Sequence, residues 1–80
     1  MLNDKIRPIY IIAKEIFSDW DNVSPYAEPY LLAMRSLNTI EDDYYLDNGE
    51  SIILYFLSNA ASWHGETARR IKKELRGMVT

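Results

Sequence analysis

The 80-residue chain contains no cysteine, a single histidine, three glycines and three prolines. Without cysteine there is no disulfide framework, no thiol nucleophile and no thiolate metal site, which fits a reducing compartment such as the cytoplasm. With one histidine, His64, every imidazole base, ligand or triad must pass through that residue. Few glycines and prolines, together with 48% hydrophobic residues, exclude a disordered or low-complexity chain. Long apolar runs are also missing. Lys5 and Arg7 precede the patch from Ile9 to Ala13, but Lys14 and Glu15 cut it too short for a signal-peptide core. The longest uncharged stretch, Ser51 to Gly65 with His64 neutral, falls short of the roughly 20 apolar residues of a membrane span. The expectation is one small domain over 1–80, not bound to a membrane, near the size limit at which a single core sustains a fold.

The charge is lopsided. Residues 1–63 hold four basic and ten acidic side chains, whereas 64–80 hold five and two, giving balances of −6 and +3. Such asymmetry either steers a partner or places a basic helix against acidic neighbours, and the second reading is favoured.

Hydrophobic spacing predicts an all-α protein, a compact bundle of about four short helices. Apolar residues at 6, 9, 10, 13, 16, 17 and 20 line one face of a helix over 6–20 that starts near Arg7 or Pro8, with Ile12 at the flank and Ile11 on the opposite side. Asp21, Asn22, Ser24 and Pro25 supply turn chemistry. Pro29 opens a second helix through about Leu37, anchored by Leu31, Leu32, Met34 and Leu37. Asn38 with Glu41, and Asp47 with Glu50, have capping-box spacing. They predict a short acidic turn or helix over 41–46 and the start of an apolar helix over 50–63. The apolar positions Ile52, Ile53, Leu54, Phe56, Leu57, Ala60, Ala61 and Trp63 cover more than half of that helix, so it should be central, with Leu57 deeply buried. Gly65 breaks the chain before a last helix over 66–76. There Ala68, Ile71 and Leu75 face inward and Arg69, Lys73 and Arg76 form an outward stripe, with Arg70 further round, where Glu66 and Glu74 can partly neutralise it.

No constellation is specific for catalysis. Ser58 and Ser62 lie near His64 in sequence, yet no orienting carboxylate or nucleophile elbow accompanies them, and no second histidine or any cysteine exists to join a metal site. The acids Glu41, Asp42, Asp43, Asp47 and Glu50 fail as a calcium loop. With Gly49 at the sixth position, Tyr44, Leu46 and Tyr55 would fill positions that need oxygen ligands. No catalytic residue, cofactor or metal ligand is therefore assigned.

Laid on a helix-turn-helix, the segment 58–75 places Ala61 as the small residue, Gly65 in the turn and Ile71 inward. Glu66 and Glu74 fall where apolar residues are expected. Arg69, Arg70, Lys73 and Arg76 could meet phosphates, although a pI near 5 opposes the electrostatic footprint of a DNA binder.

The block SIILYFLSNAASWHGETARRIKKEL, with PYLLAM upstream, resembles small uncharacterised proteins of bacteriophages and prophages. These have a YFLSN run before a tryptophan, a glycine and an ARRIK segment. In that pattern a basic residue more often stands at the position of His64, which argues against essential imidazole chemistry. The resemblance covers about the last two-thirds of the chain and implies a viral or prophage accessory protein without transferring any catalytic residue. The leading expectation is a non-enzymatic protein-binding module whose partner is a host or phage protein, acting on a nucleoprotein machine. The alternative is DNA binding through the basic last helix. Candidate partner-binding residues are Arg69, Arg70, Lys73 and Arg76, with Ile11 as an exposed isoleucine that could support self-association.

Overall fold

A computed structural model describes residues 6–79 of the chain; Lys5, weighed above as part of a leader, lies outside them. The described chain is mostly helical. Its elements run α1 (Ile9–Asp19), α2 (Glu28–Met34), β1 (Asp43–Tyr44), β2 (Asp47–Asn48), α3 (Gly49–Ser58) and α4 (Glu66–Val79). One cluster of buried side chains joins all four helices, including Ile9, Ile12 and Ile16 of α1, Leu31 and Met34 of α2, Ile53 and Phe56 of α3, and Ile71 and Leu75 of α4. Among the described residues no helix is long and apolar enough to cross a membrane.

The start of α1 is fixed by the chain that leaves α2. Pro8 cannot donate a backbone hydrogen bond and sits just before the helix. The free Ile9 and Tyr10 N–H groups donate to the Asn38 and Leu37 carbonyls at 3.0 and 2.9 Å, satisfying donors that a helix N-terminus leaves open. The buried face is turned from the expected one. Ile12 is fully buried, Tyr10 and Ile6 are exposed, and Ile11 is half-buried rather than open. Packing on both α2 and α4 widens the stripe toward Ile12. In α2, Leu32 is exposed and Ala33 buried; the helix ends at Met34, and Leu37 reaches the core from the following turn.

The acidic segment is not helical. Asp43 pairs with Asn48 and Tyr44 with Asp47 in an antiparallel hairpin, so a two-stranded sheet stands where a short turn or helix is expected. The expected capping boxes are also displaced. Asp42, rather than Asn38 and Glu41, ties the preceding turn, its carboxylate accepting from the Asn38 and Thr39 N–H groups at 2.7 and 3.1 Å. These bonds hold the Asp42 pKa below the usual carboxylate range. Asn48, rather than Asp47, caps α3 by accepting from the Ser51 N–H at 2.9 Å.

The apolar helix is shorter than its composition implied. It stops at Ser58, where the Ser58 hydroxyl donates to the Leu54 carbonyl at 3.0 Å and the Asn59 amide donates to the Tyr55 carbonyl at 2.8 Å. Both side chains thus bond back to the carbonyl four residues earlier. Leu57 is half-buried and Leu54 is 46% exposed. Ala60 and Trp63 reach the core from an irregular connector, while Ala61 is exposed. Within that core Trp20 and Trp63 stack at 5.6 Å with their planes 12° apart. Phe56 meets both edge-on, at 6.2 and 6.3 Å.

Candidate functional site

Helix α4 shows the cleanest amphipathic spacing in the chain. Ala68, Ile71 and Leu75 are buried, and Arg69, Lys73 and Arg76 are exposed along the opposite side, as the spacing required. Glu66 lies in its first turn and Arg76 in its last, in accord with the helix dipole. Arg69 and Lys73 form no ion pair among the described residues. Arg76 is exposed and has an interaction within the chain.

Arg70 is exposed too, but its charge is engaged by Glu15 on α1, not by Glu66 or Glu74. Glu74 instead takes the Arg7 guanidinium as a fork, with Arg7 Nε and Nη2 donating at 3.0 and 2.7 Å. Arg7 Nη1 also donates to Glu15 at 2.9 Å. The arrangement Glu74, Arg7, Glu15, Arg70 is a four-membered chain of alternating charge that fastens α4 to α1 and to the residues before it. Glu74 first, then Glu15, raises the Arg7 pKa. The Arg70 hydrogen bond, with Arg7 second, lowers the Glu15 pKa against an opposing desolvation effect. Ile11 precedes Glu15 by one helical turn, so it lies on the flank of α1 next to this network and is half-buried there.

A titration should expose the network. The folded-state pKa values of Glu15 and Asp42 both lie below the unfolded ones, so the unfolded chain binds more protons as pH falls through the carboxylate range. The stabilisation is complete above the ordinary carboxylate pKa and lost as pH drops through the depressed values. Melting temperatures should therefore be level near neutrality and fall below about pH 4.5, and Glu15→Gln should flatten part of that slope. A parent and variant with parallel profiles would remove Glu15 from the account.

Lys72 is a residue that sequence reading did not single out. Its ammonium donates to the Ala60 carbonyl at 2.8 Å and to the Trp63 carbonyl, and lies 5.8 Å from the centroid of the Trp63 ring. Burial, with the charge of Arg76 second, lowers its pKa. One cation thereby closes the irregular connector onto α4. On the other side Trp63 Nε1 donates to Asp19 at the end of α1, at 2.9 Å. Neither partnership is visible in spacing, since Asp19 and Trp63 are 44 residues apart.

His64 is exposed, beside a shallow cleft that also involves Asp19, Asp21, Asn22 and Ser62. Its side chain forms no hydrogen bond or ion pair with the described residues. Among those residues no three His, Asp or Glu side chains converge as a metal-holding group. In the helix-turn-helix overlay α3 stands as the first helix, but the turn is longer. Ala61 lies outside α3, and the connector runs over 59–65 where that motif has a turn of three to four residues.

No protein-family model, curated protein or solved structure matches this chain.

Proposed function

We propose that the protein is a non-enzymatic accessory protein of phage type that acts as a protein-binding module in a bacterial cytoplasm. Its contact surface is the outward face of α4, and its target is an acidic surface on a host or phage protein of a nucleoprotein machine. The observation that carries this reading is that Arg69 and Lys73 lie one turn apart, exposed and without an acidic partner among the described residues. The helix that bears them is fixed by three buried residues and two carboxylate–guanidinium contacts. A helix already fixed to the rest of the fold loses little backbone freedom on binding, which favours association. The bundle serves as the scaffold, and Arg70, already paired with Glu15, belongs to that scaffold more than to the contact. The phage assignment rests on the likeness of the C-terminal block to phage and prophage proteins.

Replacing Arg69 and Lys73 together by Gln should leave stability within about 1 kcal/mol of the parent, because exposed charges contribute little. Partner capture should weaken, and the difference between parent and variant should shrink as salt rises. If the double variant retains every partner as tightly as the parent at low salt, α4 is not the contact surface. A DNA gel shift that declines steeply with salt and is abolished in the same variant would assign the face to nucleic acid instead.

A further inference from the structure

Two surfaces away from the α4 contact face each offer what the other lacks. The first is the tip of the β1–β2 hairpin. Tyr45 and Leu46 form its two-residue loop and are 88% and 102% exposed. Tyr45 has φ 58°, in the left-handed region that hairpin loops usually give to Gly, Asn or Asp. An aromatic residue here strains the backbone and leaves its ring in water, with only an edge contact to Tyr44 at 4.8 Å. Asp43 and Asp47 lie in the strands that flank the loop, and Glu41 and Glu50 lie at the base of the hairpin, all exposed and none ion-paired with a described residue.

The second surface is a shallow pocket lined by Lys14, Phe17 and Ser18 of α1 and by Arg35 just after α2. Phe17 is half-buried against the core, and the Arg35 guanidinium lies 5.9 Å from its ring centroid. Lys14 and Arg35 are exposed and have no acidic partner among the described residues. One surface is therefore an apolar tip within an acidic collar, and the other is an aromatic floor between two cations.

We infer that these two surfaces bind each other between copies of the chain, the Tyr45–Leu46 tip of one copy entering the Lys14–Phe17–Arg35 pocket of a second. The hairpin carboxylates then face Lys14 and Arg35, and the exposed loop side chains leave water against Phe17. Charge selects the pairing, because tip against tip and pocket against pocket would oppose like charges. The contact joins unlike surfaces, so it closes as a dimer when each hairpin occupies the other's pocket and otherwise extends head to tail. A single loop in a shallow pocket buries little area, which places the association in the weak, transient class. This inference does not depend on the α4 reading, since Arg69 and Lys73 take no part in it.

Sedimentation velocity on the full chain, from micromolar to millimolar concentration, tests it with two variants. Tyr45→Gly with Leu46→Ser removes the tip using a residue suited to the loop backbone; Lys14→Glu with Arg35→Glu reverses the pocket. All four positions are exposed, and circular dichroism confirms folding before the comparison. The parent should self-associate, and its association constant should drop at least roughly tenfold from low to high salt. Each variant alone should remain monomeric. An equimolar mixture should form a heterodimer and nothing larger, because the first variant retains the pocket and the second retains the tip. A monomeric parent, variants that associate as the parent does, or a mixture that stays monomeric would each overturn the inference.

Discussion

Phe56→Ala is expected to cost about 3 to 5 kcal/mol, enough to leave much of the population unfolded when small domains hold only about 5 to 15 kcal/mol. Phe56 is fully buried and meets the edges of both tryptophans. Truncation removes its transfer free energy and opens a cavity bounded by two large rings that cannot collapse into it. Leu57→Ala gives the contrast. A deeply buried Leu57 would cost about 2 to 5 kcal/mol on truncation, but the side chain is only half-buried, so a loss of about 1 kcal/mol is expected. Urea melts of the two variants decide the matter. Equal losses would mean that α3 is rotated from the orientation described.

Gly49→Ala should be strongly destabilising. A Cβ at Gly49 would stand 2.7 Å from the Thr39 carbonyl oxygen and 2.8 Å from the Ile40 Cα. Both are backbone atoms, so no rotamer change relieves the clash. The two segments are also stitched together, with the Gly49 N–H donating to the Asp42 carbonyl at 2.7 Å and the Glu50 N–H donating to the Ile40 carbonyl at 3.0 Å. Separation would strain those bonds, and a loss of about 1 to 3 kcal/mol or more follows from overpacking. Gly77→Ala should have the opposite sign. It lies inside α4 with nothing within 4 Å of the added carbon, so the better helix former should add about 0.5 to 1 kcal/mol. Thermal melts in which Gly49→Ala is no less stable than the parent would contradict this account of Gly49, and a destabilised Gly77→Ala would contradict that of Gly77.

The helices were legible because burial imposes a period on sequence. Ala68, Ile71 and Leu75 lie at helical spacing with charges between them, and their inward placement and the outward Arg69 and Lys73 follow from that alone. The segment 50–63 misled because apolar content does not reveal how long a helix runs. Its end is set by Ser58 and Asn59 bonding back to carbonyls, which reads in sequence merely as a polar stripe. The hairpin escaped because two-residue strands are too short to show alternation. Its loop, Tyr45 and Leu46, carries none of the usual turn residues, and Asn48 beside it suits a helix cap, which it also is. Ion pairing misled by proximity. Glu74 and Arg70 are near in sequence, but Arg7 and Glu15 lie closer to them in space. Lys72 could not be distinguished from its basic neighbours until the connector carbonyls were placed beside it.

The stacked tryptophans give the molecule its own optical gauge. They are the only two in the chain; one ends α1 and the other lies in the connector before α4, yet their rings are nearly parallel at 5.6 Å. Indoles held in one fixed, asymmetric packing give near-ultraviolet dichroism that mobile indoles lose, so folding should produce an indole band in that region. Because the two rings come from opposite ends of the sequence, the signal reports docking of the N-terminal helix against the C-terminal segment rather than helix content. A form that retained its helices but let these segments separate would keep the helical far-ultraviolet signal and lose the near-ultraviolet indole band.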